Sequence, residues 1–163
     1  MQDDYCEGRQ NAATDALTGL CSHGYLHMHL QKQIAECRSR EKVLAIGFFD
    51  ITKLTGLNGE YGYVTGNRLL RQIGDAIGGL VRAEDLPARF GGDEFYIVLP
   101  GSDQEAARPE LQRIAGVINF TKFTIKDAGE PAQVHLQNSC ATPPAGDSAE
   151  SLIARARAEI AKG

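Results

Sequence analysis

What this sequence lacks narrows what it can be. No apolar run approaches the ~20 residues that a membrane span needs, and the polar start Met1–Gln10 has no signal-peptide core. A cytoplasmic domain is the expectation. Basic residues are not in excess: 17 Lys and Arg stand against 21 Asp and Glu, a net charge of −4. That balance disfavours non-specific binding to DNA or RNA, which wants a basic surface. Cys6, Cys21, Cys37 and Cys140 show no C-x-x-C spacing, so neither a zinc site nor a disulfide framework is expected and the thiols read as reduced. There is no internal repeat and no low-complexity tract. What remains is ordinary for one globular domain with a full core: 163 residues, 42% apolar and 23% charged.

Within that chain one stretch carries chemistry. Ala88-Arg89-Phe90 and Phe95-Tyr96-Ile97-Val98-Leu99 are short β-prone runs separated by Gly91-Gly92-Asp93-Glu94, the pattern of a β-hairpin. Gly91 and Gly92 take positive φ at little cost and let another molecule approach the backbone. Asp93 and Glu94 then hold two carboxylates at the tip, the oxygen donors that hard divalent cations and their phosphates need. An acidic, solvated turn is the plain alternative.

Gly91-Gly92-Asp93-Glu94-Phe95 is also the signature of the GGDEF family of bacterial diguanylate cyclase domains, and the chain resembles that family over nearly its whole length. Asp15-Ala16-Leu17-Thr18-Gly19-Leu20 is similar to the family's opening D-x-L-T-G-L. Phe49-Asp50-Ile51, with Asn58, Gly62 and Gly66 after it, follows the F-D-I-D…N-D-x-x-G-H-x-x-G-D segment. Arg82-Ala83-Glu84-Asp85 resembles the R-x-x-D product-binding site. Residues 1–14 read as a linker or helix end, and 15–163 as the domain, shorter at its C-terminus than the family pattern. An upstream sensor or receiver module in a longer protein is implied.

Periodicity supplies the fold. Leu26, Leu30 and Ile34 mark a helix over Gly24–Arg40. Val43–Phe49 is a continuous apolar run, a buried central strand closed by Asp50. A helix runs from Gly66-Asn67 to Leu80 with Asn67 as its N-cap, and another spans Asp103–Asn119. Phe120–Lys126 and Val134–Cys140 suggest a second antiparallel pair, and Ser148 caps the last helix. The expected class is α+β, a mixed α/β sandwich with a central sheet of about five strands flanked by helices. The family fold, related to class III nucleotide cyclases and the polymerase palm, is such a sheet. His23 and His27 can share a helix face, but no Cys or acidic partner joins them at ligand spacing.

The resemblance implies the rest. Two GTP molecules condense into cyclic di-GMP with release of pyrophosphate, across two domains face to face in a homodimer. Mg²⁺ (or Mn²⁺) is held by Asp50, Asp93 and the Ile51 carbonyl. Asp93, Glu94 and Asp50 are the implied catalytic set, and Gly91, Gly92, Asn58 and Asn67 contact substrate. Arg82 and Asp85 bind the product, with Arg113 adding a second Arg from a neighbouring domain. Several positions depart from the pattern. Thr52 replaces the second Asp of F-D-I-D, Thr55 a phosphate-contacting Lys, Gly59 and Tyr63 an Asp and a His, Asn67 a guanine-reading Asp, and Arg157 and Ala161 an Asp and a Tyr. Metal ligands persist while substrate contacts erode. Two readings follow: a cyclase of weakened activity with a product-binding inhibitory site, or a regulatory module that binds cyclic di-GMP or GTP without turnover.

Overall fold

The computed structural model describes residues 13–52, 62–124 and 131–160. The apolar run in the middle of the chain becomes β1 (Leu44–Thr52), with Asp50 inside the strand rather than at its close. β1 pairs antiparallel with β3 (Glu94–Pro100) on one side and β4 (His135–Ala141) on the other. β2 (Leu86–Gly91) pairs antiparallel with β3, so the described sheet has four strands in the order β2-β3-β1-β4.

Alternation along the strands sorts their side chains between two helical layers. Ala45, Phe49 and Ile51 join Phe95, Ile97 and Leu99 on one face. They pack against Leu69, Ile73 and Ile77 of α2 (Tyr63–Leu80) and Leu111 and Ile114 of α3 (Gln104–Phe120). Leu44, Ile46 and Phe48 lie on the other face with Tyr96 and Val98. There they meet Leu26 and Leu30 of α1 (His23–Arg40) and Leu152, Ile153 and Ala156 of α4 (Ala149–Ile160). Each buried Leu, Ile or Phe contributes about 1.5–3 kcal/mol, so packing rather than helix propensity holds these layers.

Short polar side chains start three helices: Ser22 accepts from the Tyr25 N–H, Asp103 from Ala106 and Ser148 from Ser151. Asn67 is not a cap. The helix begins four residues earlier, with Gly62 as its N-cap, and Asn67 is exposed in its second turn. Phe120–Lys126 is not a strand in its described part, because α3 runs on to Phe120 and only Phe123 pairs, with Ala132, through two 2.8 Å bonds. Residues 125–130 lie outside the described part. Among the described residues, Cys37 and Cys140 are free thiols. No helix among the described residues is long and apolar enough to cross a membrane.

Candidate functional site

The hairpin expected between Ala88 and Leu99 is present, and its tip is tight. Gly91 pairs with Glu94, leaving Gly92-Asp93 as a two-residue turn. Gly92 has φ +52° and Gly91 φ +151°, and a Cβ at either would meet nothing within 4 Å. The glycines therefore serve conformation and leave the backbone open to approach.

A chain of polar contacts behind the tip was not read from the sequence. Arg89 donates to the Gly92 carbonyl from Nε (3.2 Å) and Nη2 (2.9 Å), and from Nη1 to Asp15 Oδ1 at 3.1 Å. Asp15 in turn accepts from the Thr18 N–H (2.9 Å) and hydroxyl (2.7 Å). Burial works to raise the Asp15 pKa, but the Thr18 bonds and the Arg89 charge together hold it below the usual carboxylate value. The D-A-L-T segment thus braces the hairpin from 74 positions away. The only signal for it was the spacing of the motif itself.

Opposite the tip, Asp50 is the cross-strand partner of Glu94, and the Ile51 N–H donates to the Asp93 carbonyl at 3.2 Å. In a strand the N–H and C=O of one residue point to the same edge, so the Ile51 carbonyl faces the hairpin. Burial, then the charges of Asp93 and Glu94, push the Asp50 pKa up. Asp50, with Asp93 and Glu94 acting on it, and the Ile51 carbonyl offer the oxygen donors that a divalent cation takes. The residues fit such an ion. Among the described residues, however, no three His, Cys, Asp or Glu side chains are already gathered as a metal cluster; His23 and His27 form none.

Glu94 has another partner. Its Oε2 lies 2.7 Å from Arg157 Nη2, and the Arg157 guanidinium carbon sits 5.0 Å from the centre of the Phe90 ring. Burial pushes the Tyr96 phenol up to about 12, so it stays neutral and leaves Glu94 as Arg157's anionic partner. Thr52, which stands where the family pattern has a second Asp, donates to the His135 carbonyl at 3.0 Å and so faces β4. Asn58 and Thr55 lie outside the described residues.

Arg82 and Asp85 meet beyond the end of α2. Arg82 donates from Nε (3.0 Å) and Nη2 (2.8 Å) to the two Asp85 oxygens, and from its backbone N–H at 3.1 Å. Nη2 also reaches the Ser102 hydroxyl at 3.2 Å. This is an i, i+3 pair, but Asp85 is buried, with the Arg82 side chain 39% exposed. Arg113 donates to the Leu80 carbonyl at 2.6 Å, two residues before Arg82, and pairs with Glu110. Glu110 also acts electrostatically on Arg82, so both arginines belong to one charged patch.

Known proteins agree with this architecture. Residues 12–162 match the family described as "Diguanylate cyclase, GGDEF domain". The chain is 30% identical over 148 residues to the diguanylate cyclase DgcP of Pseudomonas aeruginosa, covering 91% of this chain and 22% of that protein. It is 30% identical over 146 residues to the response regulator PleD of Caulobacter vibrioides, covering 89% and 32%. The chain thus spans between a fifth and a third of these relatives' lengths. Among solved structures, the GGDEF domain of DgcB from Caulobacter crescentus, in complex with c-di-GMP, superposes with a TM-score of 0.88 at 24% identity, covering 94% of this chain and 91% of that one. A sensory box/GGDEF family protein from the same species gives 0.81 at 27%, covering 93% and 97%. Fold, motif order and matched length converge: this chain belongs to the GGDEF domain family.

Proposed function

We propose that this domain serves cyclic di-GMP signalling as the nucleotide-handling unit of a diguanylate cyclase, joining two GTP into cyclic di-GMP with release of two pyrophosphates. The observation that carries the reading is the register that sets Asp50 and the Ile51 carbonyl against the Gly92-Asp93 turn. Asp50, Asp93 and the Ile51 carbonyl would hold Mg²⁺ or Mn²⁺. When bound, such an ion lowers the pKa of an attacking hydroxyl and neutralises phosphate charge.

The chain's own residues do the rest. Gly91 and Gly92 let the triphosphate lie against the tip, and Arg89 keeps the turn from shifting under it. Asp93 would accept the proton of the 3′-hydroxyl. Asn67 faces solvent one turn into α2, and with Asn58 it would read the guanine edge. An amide there offers one acceptor and one donor where a carboxylate offers two acceptors, so guanine loses a contact, at a cost of about 1–3 kcal/mol. One domain presents one tip, so turnover needs two copies facing each other. The activity is therefore weakened, and product returning to Arg82 and Asp85, with Arg113 from a neighbour, restrains it.

The second reading, a cyclic di-GMP-binding module without turnover, is favoured by one observation: Glu94 is engaged by Arg157. Incubation with GTP and Mg²⁺ or Mn²⁺, with products separated by chromatography, tests the first reading. Cyclic di-GMP formed by the wild type and lost in Asp50→Asn and Asp93→Asn supports it. Calorimetric titration of cyclic di-GMP into the wild type and Arg82→Ala tests the second site. Binding without product formation makes the module reading correct, and absence of both sinks each.

A further inference from the structure

Asp50 and Glu94 stand directly opposite each other on neighbouring strands, on the sheet face that α4 covers. Like charges in that relation repel, and the structure supplies its own answer. Arg157 projects from α4 onto Glu94 Oε2. α4 is anchored to the sheet around it: the Ser139 hydroxyl donates to the Ala156 carbonyl at 2.5 Å, and Arg155 donates to the Thr142 carbonyl at 3.2 Å. The guanidinium is further held over the Phe90 ring. Beside it lies the buried Tyr96 hydroxyl, which interacts with the same guanidinium. The Arg157 and Glu94 side chains are 43% and 26% exposed, so the bond between them is exchangeable rather than locked in the core.

We propose that Arg157 is a resident counter-cation at the hairpin tip: it draws Glu94 out of the metal-binding set, so that the site takes its divalent cation on Asp50 and Asp93 alone. The inference rests on the metal-site reading given above. Arg157 acts through Glu94 and is a positioning residue, not a catalytic one. Two cations compete for Glu94, one fixed to α4 and one arriving from solution. Removing the fixed one frees a hard oxygen donor for the other.

Mn²⁺ titration of the metal-free chain, followed by the EPR signal of free Mn²⁺, tests this without any turnover. Arg157→Met keeps an unbranched apolar side chain at this position and removes the charge. It is expected to bind Mn²⁺ about tenfold tighter than the wild type or to take a second equivalent. The gain should vanish in Arg157→Met/Glu94→Gln. Equal affinity in Arg157→Met and wild type, with unchanged circular dichroism, overturns the proposal, as does a gain that persists in the double variant. Asp50→Asn separates the two claims. If Mn²⁺ binding survives that substitution, the metal site itself has been misplaced; if it is lost while Arg157→Met changes nothing, only the role of Arg157 fails.

Discussion

Asp15 and Arg89 form a 3.1 Å ion pair whose guanidinium also holds the Gly92 carbonyl, so the start of the domain grips the tip of its hairpin. Both side chains are largely buried, 19% and 13% exposed. Removing one partner leaves the other poorly solvated, so Arg89→Ala should cost about 1–3 kcal/mol in urea unfolding. Amide exchange at Gly92–Glu94 should accelerate ahead of the core. A variant with wild-type exchange at the tip would show that the turn holds itself.

The same pair sets an acid dependence. The Asp15 pKa is lowered in the folded state, with burial opposing and the Thr18 and Arg89 interactions prevailing. Its stabilisation is then present above the ordinary carboxylate value of 3.8 and is lost as pH falls through the lower folded value. Asp15→Asn should be less stable than wild type at pH 7. The gap between the two proteins should close as the pH drops below about 4, read from thermal midpoints across the range.

Asp50 carries the opposite sign. Burial and then the neighbouring charges of Asp93 and Glu94 raise its pKa in the fold. Its ionised form therefore costs stability above the folded pKa, and that cost is relieved as pH falls through it. Asp50→Asn should melt about 1–3 °C higher than wild type in EDTA at pH 7. Millimolar Mg²⁺ should raise the wild-type midpoint and leave the variant unmoved. A wild type indifferent to Mg²⁺ would refute a cation site here.

Much of this was legible in the sequence because it depends on short-range pattern. The continuous run at β1, the glycine-broken hairpin and the i, i+3/i+4 stripes of the helices each specify an element through burial on one or two faces. What escaped depends on distance. Nothing local to Arg157 points to Glu94, 63 positions away, because the contact exists only after α4 lies across the sheet. The start of α2 was misplaced because Asn67 is a good cap by type, whereas Gly62 caps by backbone conformation, with φ +85° and no side-chain bond. The Arg82–Asp85 pair was visible from its spacing, but the burial of Asp85 was not, since it follows from how the α2–β2 connection packs beside Ser102.

Gly74 illustrates a constraint that propensity alone reads wrongly. It sits in the middle of α2, where glycine costs about 1 kcal/mol relative to alanine. A Cβ there would lie 2.8 Å from the Thr18 Cβ and 3.2 Å from its Cγ2. Thr18 cannot yield freely because its N–H and hydroxyl are tied to Asp15. Gly74→Ala should therefore destabilise by about 1–2 kcal/mol despite the better helix former. Gly79→Ala in the same helix, where nothing lies within 4 Å, should stabilise by a few tenths to about 1 kcal/mol. Chemical denaturation of the pair decides it, and a stable Gly74→Ala would mean the Thr18 loop moves easily.

Arg82 joins a structural role to the proposed product site, and one substitution can separate them. The buried Asp85 needs a cation, which Lys can supply, and it keeps the backbone N–H of residue 82. Lys cannot present the planar fork that would meet the Hoogsteen edge of guanine. Arg82→Lys should therefore unfold within about 1 kcal/mol of wild type. Its affinity for cyclic di-GMP should fall about tenfold or more, as one bidentate contact is lost. Arg82→Ala should lose both, because it strands the Asp85 carboxylate among buried neighbours. Retention of wild-type affinity by Arg82→Lys would mean that any ligand here is held by charge alone, and the guanine-reading role of Arg82 would be withdrawn.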